Sequence, residues 1–75
     1  MSVIYVVTYD YAQYLEFCRR KRSAPQGDRF RYVKEVRTLA LLRQPVDIVF
    51  VHGWQGRKDW RAIYNRALII GKRPG

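Results

Sequence analysis

Arg29-Phe30-Arg31-Tyr32-Val33 alternates cationic and apolar residues, the period-two pattern of a strand with one face on a core and the other open to solvent. Two other runs differ. Val3-Ile4-Tyr5-Val6-Val7 and Asp47-Ile48-Val49-Phe50-Val51 are apolar at odd and even positions alike, the pattern of strands covered on both faces, as in a parallel sheet. The half-polar run therefore reads as an edge strand and the two apolar runs as interior strands.

Between the strands lie helical patterns. Asp10 suits a helix N-cap and Gln13 completes a capping box, with Tyr9 and Tyr14 at the two positions of a hydrophobic staple. The spacing predicts a helix over residues 11 to about 21, with Tyr11, Tyr14, Leu15 and Cys18 on one stripe and Phe17 widening it. It ends in Arg19-Arg20-Lys21-Arg22, and residues 23–28, with Pro25 and Gly27, read as a loop. Val36, Leu39, Ala40 and Leu42 predict a short helix over residues 36–43, closed by Gln44-Pro45. Asp59 is the expected N-cap of a last helix in which Trp60, Ile63, Tyr64, Ala67 and Leu68 follow the i, i+3, i+4, i+7, i+8 spacing. Ile69 and Ile70 lie beyond that inward stripe. Gly71 suits a left-handed C-terminal residue, and residues 71–75, with Pro74, read as a frayed tail.

The order β-α-β-α-β-α, with connections long enough for parallel crossovers, predicts one minimal Rossmann-like α/β domain over residues 1–75. Strand order 2-1-3 is preferred to 3-2-1, because the latter buries Arg29 and Arg31 in the middle of the sheet. In order 2-1-3 the ends of the first and third strands flank a topological switch point, where such sheets hold ligands. Thr8, Tyr9, Asp10, His52, Gly53 and Trp54 are expected to line that crevice, with Arg57 and Lys58 beside it.

Composition bounds the rest. A chain of 75 residues holds a single small core, and 48% hydrophobic and 15% aromatic residues are too many for a disordered chain. Cys18 is the sole cysteine and His52 the sole histidine, so neither a disulfide nor a zinc site is expected to staple the domain. Dense packing or a second copy must compensate, and a homodimer is expected. No apolar run nears the roughly 18 residues of a membrane span, so the expectation is a soluble protein of a reducing cytoplasm without cofactor or metal.

Ile48-Val49-Phe50-Val51-His52-Gly53-Trp54, followed by Trp60, resembles the strand and oxyanion loop of α/β-hydrolases over about a dozen residues. That family needs a Gly-x-Ser-x-Gly elbow downstream, and the serines here, Ser2 and Ser23, both precede His52. Gly53-Trp54-Gln55-Gly56-Arg57-Lys58 lacks the spacing and terminal Lys-Ser/Thr of a phosphate loop. Its glycines suit a turn, although Arg57 and Lys58 beside a helix N-terminus are also compatible with an anion. Asp10 and His52 would form an acid/base pair only if they face one another. A helix cap explains Asp10 without any chemistry.

The charge is the unusual feature. Lys and Arg number 15 against 6 Asp and Glu, a formal net charge of +9, which suits an anionic partner. Arg19, Arg20, Lys21, Arg22, Arg29 and Arg31 concentrate it on the end of the first helix and the open face of the second strand. A cationic helix end is favoured by the dipole alone, whereas a contiguous patch also suits phosphate contacts.

The short α/β layout, the Tyr- and Trp-rich start and finish and the preference for arginine over lysine resemble the small accessory proteins of actinobacterial phages. The resemblance covers most of the chain and rests on layout, with no motif. It implies a non-enzymatic protein that engages a host protein or nucleic acid in the host cytoplasm. The alternative expectation is a small-ligand or nucleotide-binding module using the crevice.

Overall fold

The computed structural model describes residues 3–25, 27, 29–43 and 45–71. Gln26, Asp28, Gln44 and the expected tail from residue 72 lie outside the described residues. The elements are β1 (Ile4–Val7), α1 (Tyr11–Arg20), β2 (Phe30–Tyr32), α2 (Val36–Ala40), β3 (Asp47–Phe50), a 3-10 turn (Trp54–Gly56) and α3 (Trp60–Ile70). The three strands form a parallel sheet in the order β2-β1-β3, a small Rossmann-like arrangement.

Side chains on β1 alternate between two cores. Val6 packs with Tyr14 and Cys18 of α1 and with Phe30 of β2 on one face. Val7 packs with Val33, Leu39, Ile63 and Ile70 on the other, beneath α2 and α3. Both valines are fully buried, and burial on this scale stabilises by about 1.5–3 kcal/mol per side chain. β1 is thus interior, as its two-sided pattern predicts.

Several local expectations are corrected. β3 is not interior. Among the described residues it pairs with β1 on one side only and is the second edge, with Phe50 exposed. Ile70 is not outside the core but buried in it, while Ile69 points to solvent. α2 stops at Ala40, short of residue 43, and Leu42 reaches the core from the chain beyond the helix. Tyr9 does not staple onto Tyr14. Its ring covers Gly56 so closely that a Cβ there would lie 2.9 Å from the ring carbons, and Tyr14 instead meets Tyr11 and Tyr32.

The two helix ends also exchange roles. Gly71 is extended rather than left-handed (φ −72°, ψ 137°). A Cβ there would come within 2.5 Å of the Ala67 carbonyl oxygen, so glycine is needed for space. Gly71 also bridges to Val46, so it belongs to the fold rather than to a frayed tail. The left-handed residue is Arg22 (φ 52°) at the end of α1. There the Ser23 N–H donates to the Cys18 carbonyl at 2.9 Å and the Arg22 N–H to Arg19 at 3.1 Å, a Schellman closure that usually takes glycine. Among the described residues no helix is long and apolar enough to cross a membrane.

Tyr14 ties the loop after α1 to the sheet. Its buried hydroxyl lies 2.7 Å from the Pro25 carbonyl oxygen and 3.1 Å from that of Phe30. Burial, reinforced by the Cys18 side chain, pushes its pKa well above the usual 10.0. The unfolded chain therefore gives up this proton first, and its contribution to stability, intact below pH 10.0, falls as pH rises beyond it. Tyr14→Phe is expected to destabilise by about 1–3 kcal/mol at neutral pH and to flatten the alkaline loss. Urea midpoints from pH 7 to 11 check both, and an unchanged alkaline slope in the variant would count against the assignment.

Candidate functional site

Gln13 organises the switch point. Its backbone N–H donates to the Asp10 carboxylate at 2.9 Å, closing the cap expected at the start of α1. Its side-chain oxygen accepts from the Tyr9 N–H at 2.7 Å, one residue earlier than a capping box requires. Its amide nitrogen then crosses to the other strand end and donates to the His52 carbonyl at 2.9 Å. The ends of β1 and β3 are thus joined by a side chain that sequence reasoning treated only as part of a cap.

The expected crevice residues are distributed around this bridge. Thr8 is buried, and its hydroxyl donates to the Asp10 carbonyl at 2.6 Å. Gly53 needs its glycine for a left-handed turn (φ 96°). Trp54 belongs to an aromatic cluster, with ring centroids 4.4 Å from Phe50, 6.1 Å from Trp60 and 6.3 Å from Tyr64. His52 is exposed, and no hydrogen bond or ion pair joins it to Asp10. Tyr9, Asp10, Arg57 and Lys58 come together with Lys34 and Asp59 around a wide, shallow hollow of about 610 Å³.

Arg57 forms the floor of that hollow. It is only 9% exposed. Nη1 donates to the carbonyls of Thr8 at 3.2 Å and Val33 at 2.7 Å, and Nη2 donates to Lys34 at 2.6 Å. Nε and Nη2 grip the Asp59 carboxylate at 3.0 and 3.1 Å. Asp59 stands at the N-cap of α3 as expected, but its side chain makes no cap bond because it faces Arg57. The guanidinium therefore satisfies the carbonyls at the ends of β1 and β2. Buried charge of this kind is tolerated because it is paired and fully hydrogen-bonded.

The basic residues assemble elsewhere, where the end of α1 meets the start of β2. Phe17 and Phe30 meet edge to face at 5.1 Å. Lys21 lies over the Phe17 ring at 5.9 Å and Arg29 over the Phe30 ring at 5.3 Å. This pair of rings brings together charges eight positions apart in the chain. Arg19, Arg20 and Arg22 are exposed on the same helix end. Arg20 carries an ion pair to Glu16 at 3.0 Å, exposed and of the kind that contributes little stability. Arg31 is exposed but turned to the preceding loop, donating to the Gly27 carbonyl at 2.6 Å.

Fold and surface together define a three-stranded parallel α/β protein with a cationic end and a plugged switch point. Comparison with protein-family models, curated proteins and solved structures finds no match to this chain.

Proposed function

We propose that this is a binding protein that engages duplex nucleic acid through its basic end, in the accessory role implied by its likeness to the small phage proteins. The observation that carries the reading is the Lys21–Phe17–Phe30–Arg29 stack. It holds two cations on an apolar base of two edge-to-face rings beside Arg19, Arg20 and Arg22, with Glu16 as the one ion-pair partner in the patch among the described residues. Such a surface neutralises phosphates in a row and reads little sequence. A small anionic ligand in the 610 Å³ hollow is the second reading, supported by exposed Lys34 and Lys58 at its rim. Against it, the donors of Arg57 are already engaged by the protein.

Replacing Arg20, Lys21 and Arg22 together by glutamine tests the proposal. Duplex affinity is expected to fall alike for unrelated sequences, and the slope of log K on log salt to flatten by about 0.9 for each phosphate no longer neutralised. Fluorescence anisotropy at several salt concentrations reads both. Wild-type binding by the triple variant overturns the proposal. Weak duplex binding by the unmodified protein, with capture of an acidic host protein abolished in the variant, would reassign the same face to a protein partner.

A further inference from the structure

Parallel topology sorts the charges of this molecule onto two ends. Each helix begins where a strand finishes and runs back, so α1 and α2 end where the strands begin, and Gly71 after α3 bridges to Val46 at the entry to β3. Asp10, Glu35 and Asp59, three of the six acids, stand at the helix N-caps of the opposite end. The end where the strands begin carries the basic surface of Arg19 to Arg22 on α1 and Arg29 at the entry to β2. It also carries Arg43, in the segment that leads into β3. Ile4 at the start of β1 stands in register with Phe30 on one side and Asp47 on the other, so the entries to β2 and β3 lie two strand spacings, about 10 Å, apart.

Arg43 is exposed and makes no ion pair among the described residues. The helix dipole does not account for it, because it stands three positions beyond the last residue of α2, a helix of five residues, and the dipole acts within the last turn. It lines a groove of about 530 Å³ with Arg66 and the exposed Leu41. Arg66 is engaged by the carbonyls of Leu39, Ala40 and Leu42, which leaves Arg43 as the free cation of that groove among the described residues. Besides Glu16, already paired with Arg20, the acid of this end among the described residues is Asp47. It lies on the α1 face of β3, two positions before Val49, the partner of Val6, whereas the groove opens between α2 and α3. We infer that the duplex lies across the whole end of the sheet at which the strands begin, with Arg43 holding its backbone on the α2 and α3 side while Arg19 to Arg22 and Arg29 hold it on the α1 side, a placement that rests on the nucleic-acid reading and extends it. A duplex is a rod with a phosphate for about every 1.7 Å of its axis, so one partner meets cations on both sides of the sheet.

Arg43→Gln is expected to weaken duplex binding about threefold to tenfold at about 0.1 M salt and to flatten the slope of log K on log salt by about 0.9. Leu41→Lys, which adds a cation to the same groove at an exposed position, is expected to strengthen binding and steepen the slope. Arg61→Gln removes the same charge from the first turn of α3, at the opposite end, and is expected to change neither, which separates position from net charge. Fluorescence anisotropy across a salt series reads all three, and circular dichroism confirms that each variant is folded. The losses from Arg43→Gln and from the triple glutamine variant at residues 20–22 are expected to add, as for separated sites. Wild-type binding by Arg43→Gln, an equal loss from Arg61→Gln, or weaker binding by Leu41→Lys overturns the inference, and a loss in the triple variant then leaves the nucleic-acid reading standing. Wild-type binding by the triple variant removes that reading and the inference with it.

Discussion

Arg57→Ala is expected to lower the unfolding free energy by about 3–5 kcal/mol, since it strips the donor from three strand-end carbonyls, at about 1–3 kcal/mol for each that stays dry, and unpairs Asp59, whose side chain is 34% exposed. That is a large part of the roughly 5–15 kcal/mol that holds a whole domain together. The loss has two sources. Asp59 is left without its partner, and the carbonyls of Thr8, Val33 and Lys34 lose their donor at the ends of two strands. Arg57→Lys keeps the charge but not the planar fork, and is expected to lose at least about 2 kcal/mol. Urea unfolding followed by tryptophan fluorescence measures both. A loss below about 1 kcal/mol for alanine would show that water replaces the guanidinium easily, and that Arg57 is free to meet a ligand after all.

This residue illustrates why the site was less legible than the fold. Beside Lys58 in a glycine-containing turn, Arg57 reads as half of an anion site, because its local context carries only charge. Apart from Asp59, its partners are backbone carbonyls 23 to 49 positions away, and a carbonyl leaves no mark in a sequence. Gln13 is a parallel case. The cap it makes with Asp10 follows from their spacing, whereas its bridge to the His52 carbonyl depends on β3 lying beside β1. The packing of Phe17 on Phe30 that unites Lys21 with Arg29 is equally tertiary, although the parts of the basic surface were visible residue by residue.

Strand order was legible for a definite reason. Arg31 between Phe30 and Tyr32 cannot sit inside a sheet covered on both faces, so β2 had to be an edge and β1 central. The same reasoning misread β3, since a strand covered on both faces has the same pattern at the centre of a sheet and at its edge. Phe50 looks like a core residue in sequence and is exposed beside Trp54 and Tyr64. Helix ends were hidden in other ways. The left-handed position of α1 falls on an arginine within a basic run, and the apolar spacing after α2 continues past the residue where its helix stops.

Leu39→Ala is expected to destabilise by about 2–5 kcal/mol, the range for truncating a fully buried leucine. α2 has five residues, too few to persist without tertiary support. Two side chains hold it. Leu39 is wholly buried with Val7, Ile63 and Ile70, and Arg66 of α3 donates to the carbonyls of Leu39, Ala40 and Leu42 at 3.4, 3.3 and 3.2 Å. Arg66→Gln alone is expected to lose about 1–2 kcal/mol. Because both residues fasten the same short helix, the double variant should lose less than the sum, by about 0.5 kcal/mol or more. Hydrogen exchange should locate the effect, with amides of residues 38–42 losing protection before those of β1. Strict additivity, with protection falling uniformly along the chain, would mean that α2 unfolds only with the whole domain and that Arg66 acts elsewhere.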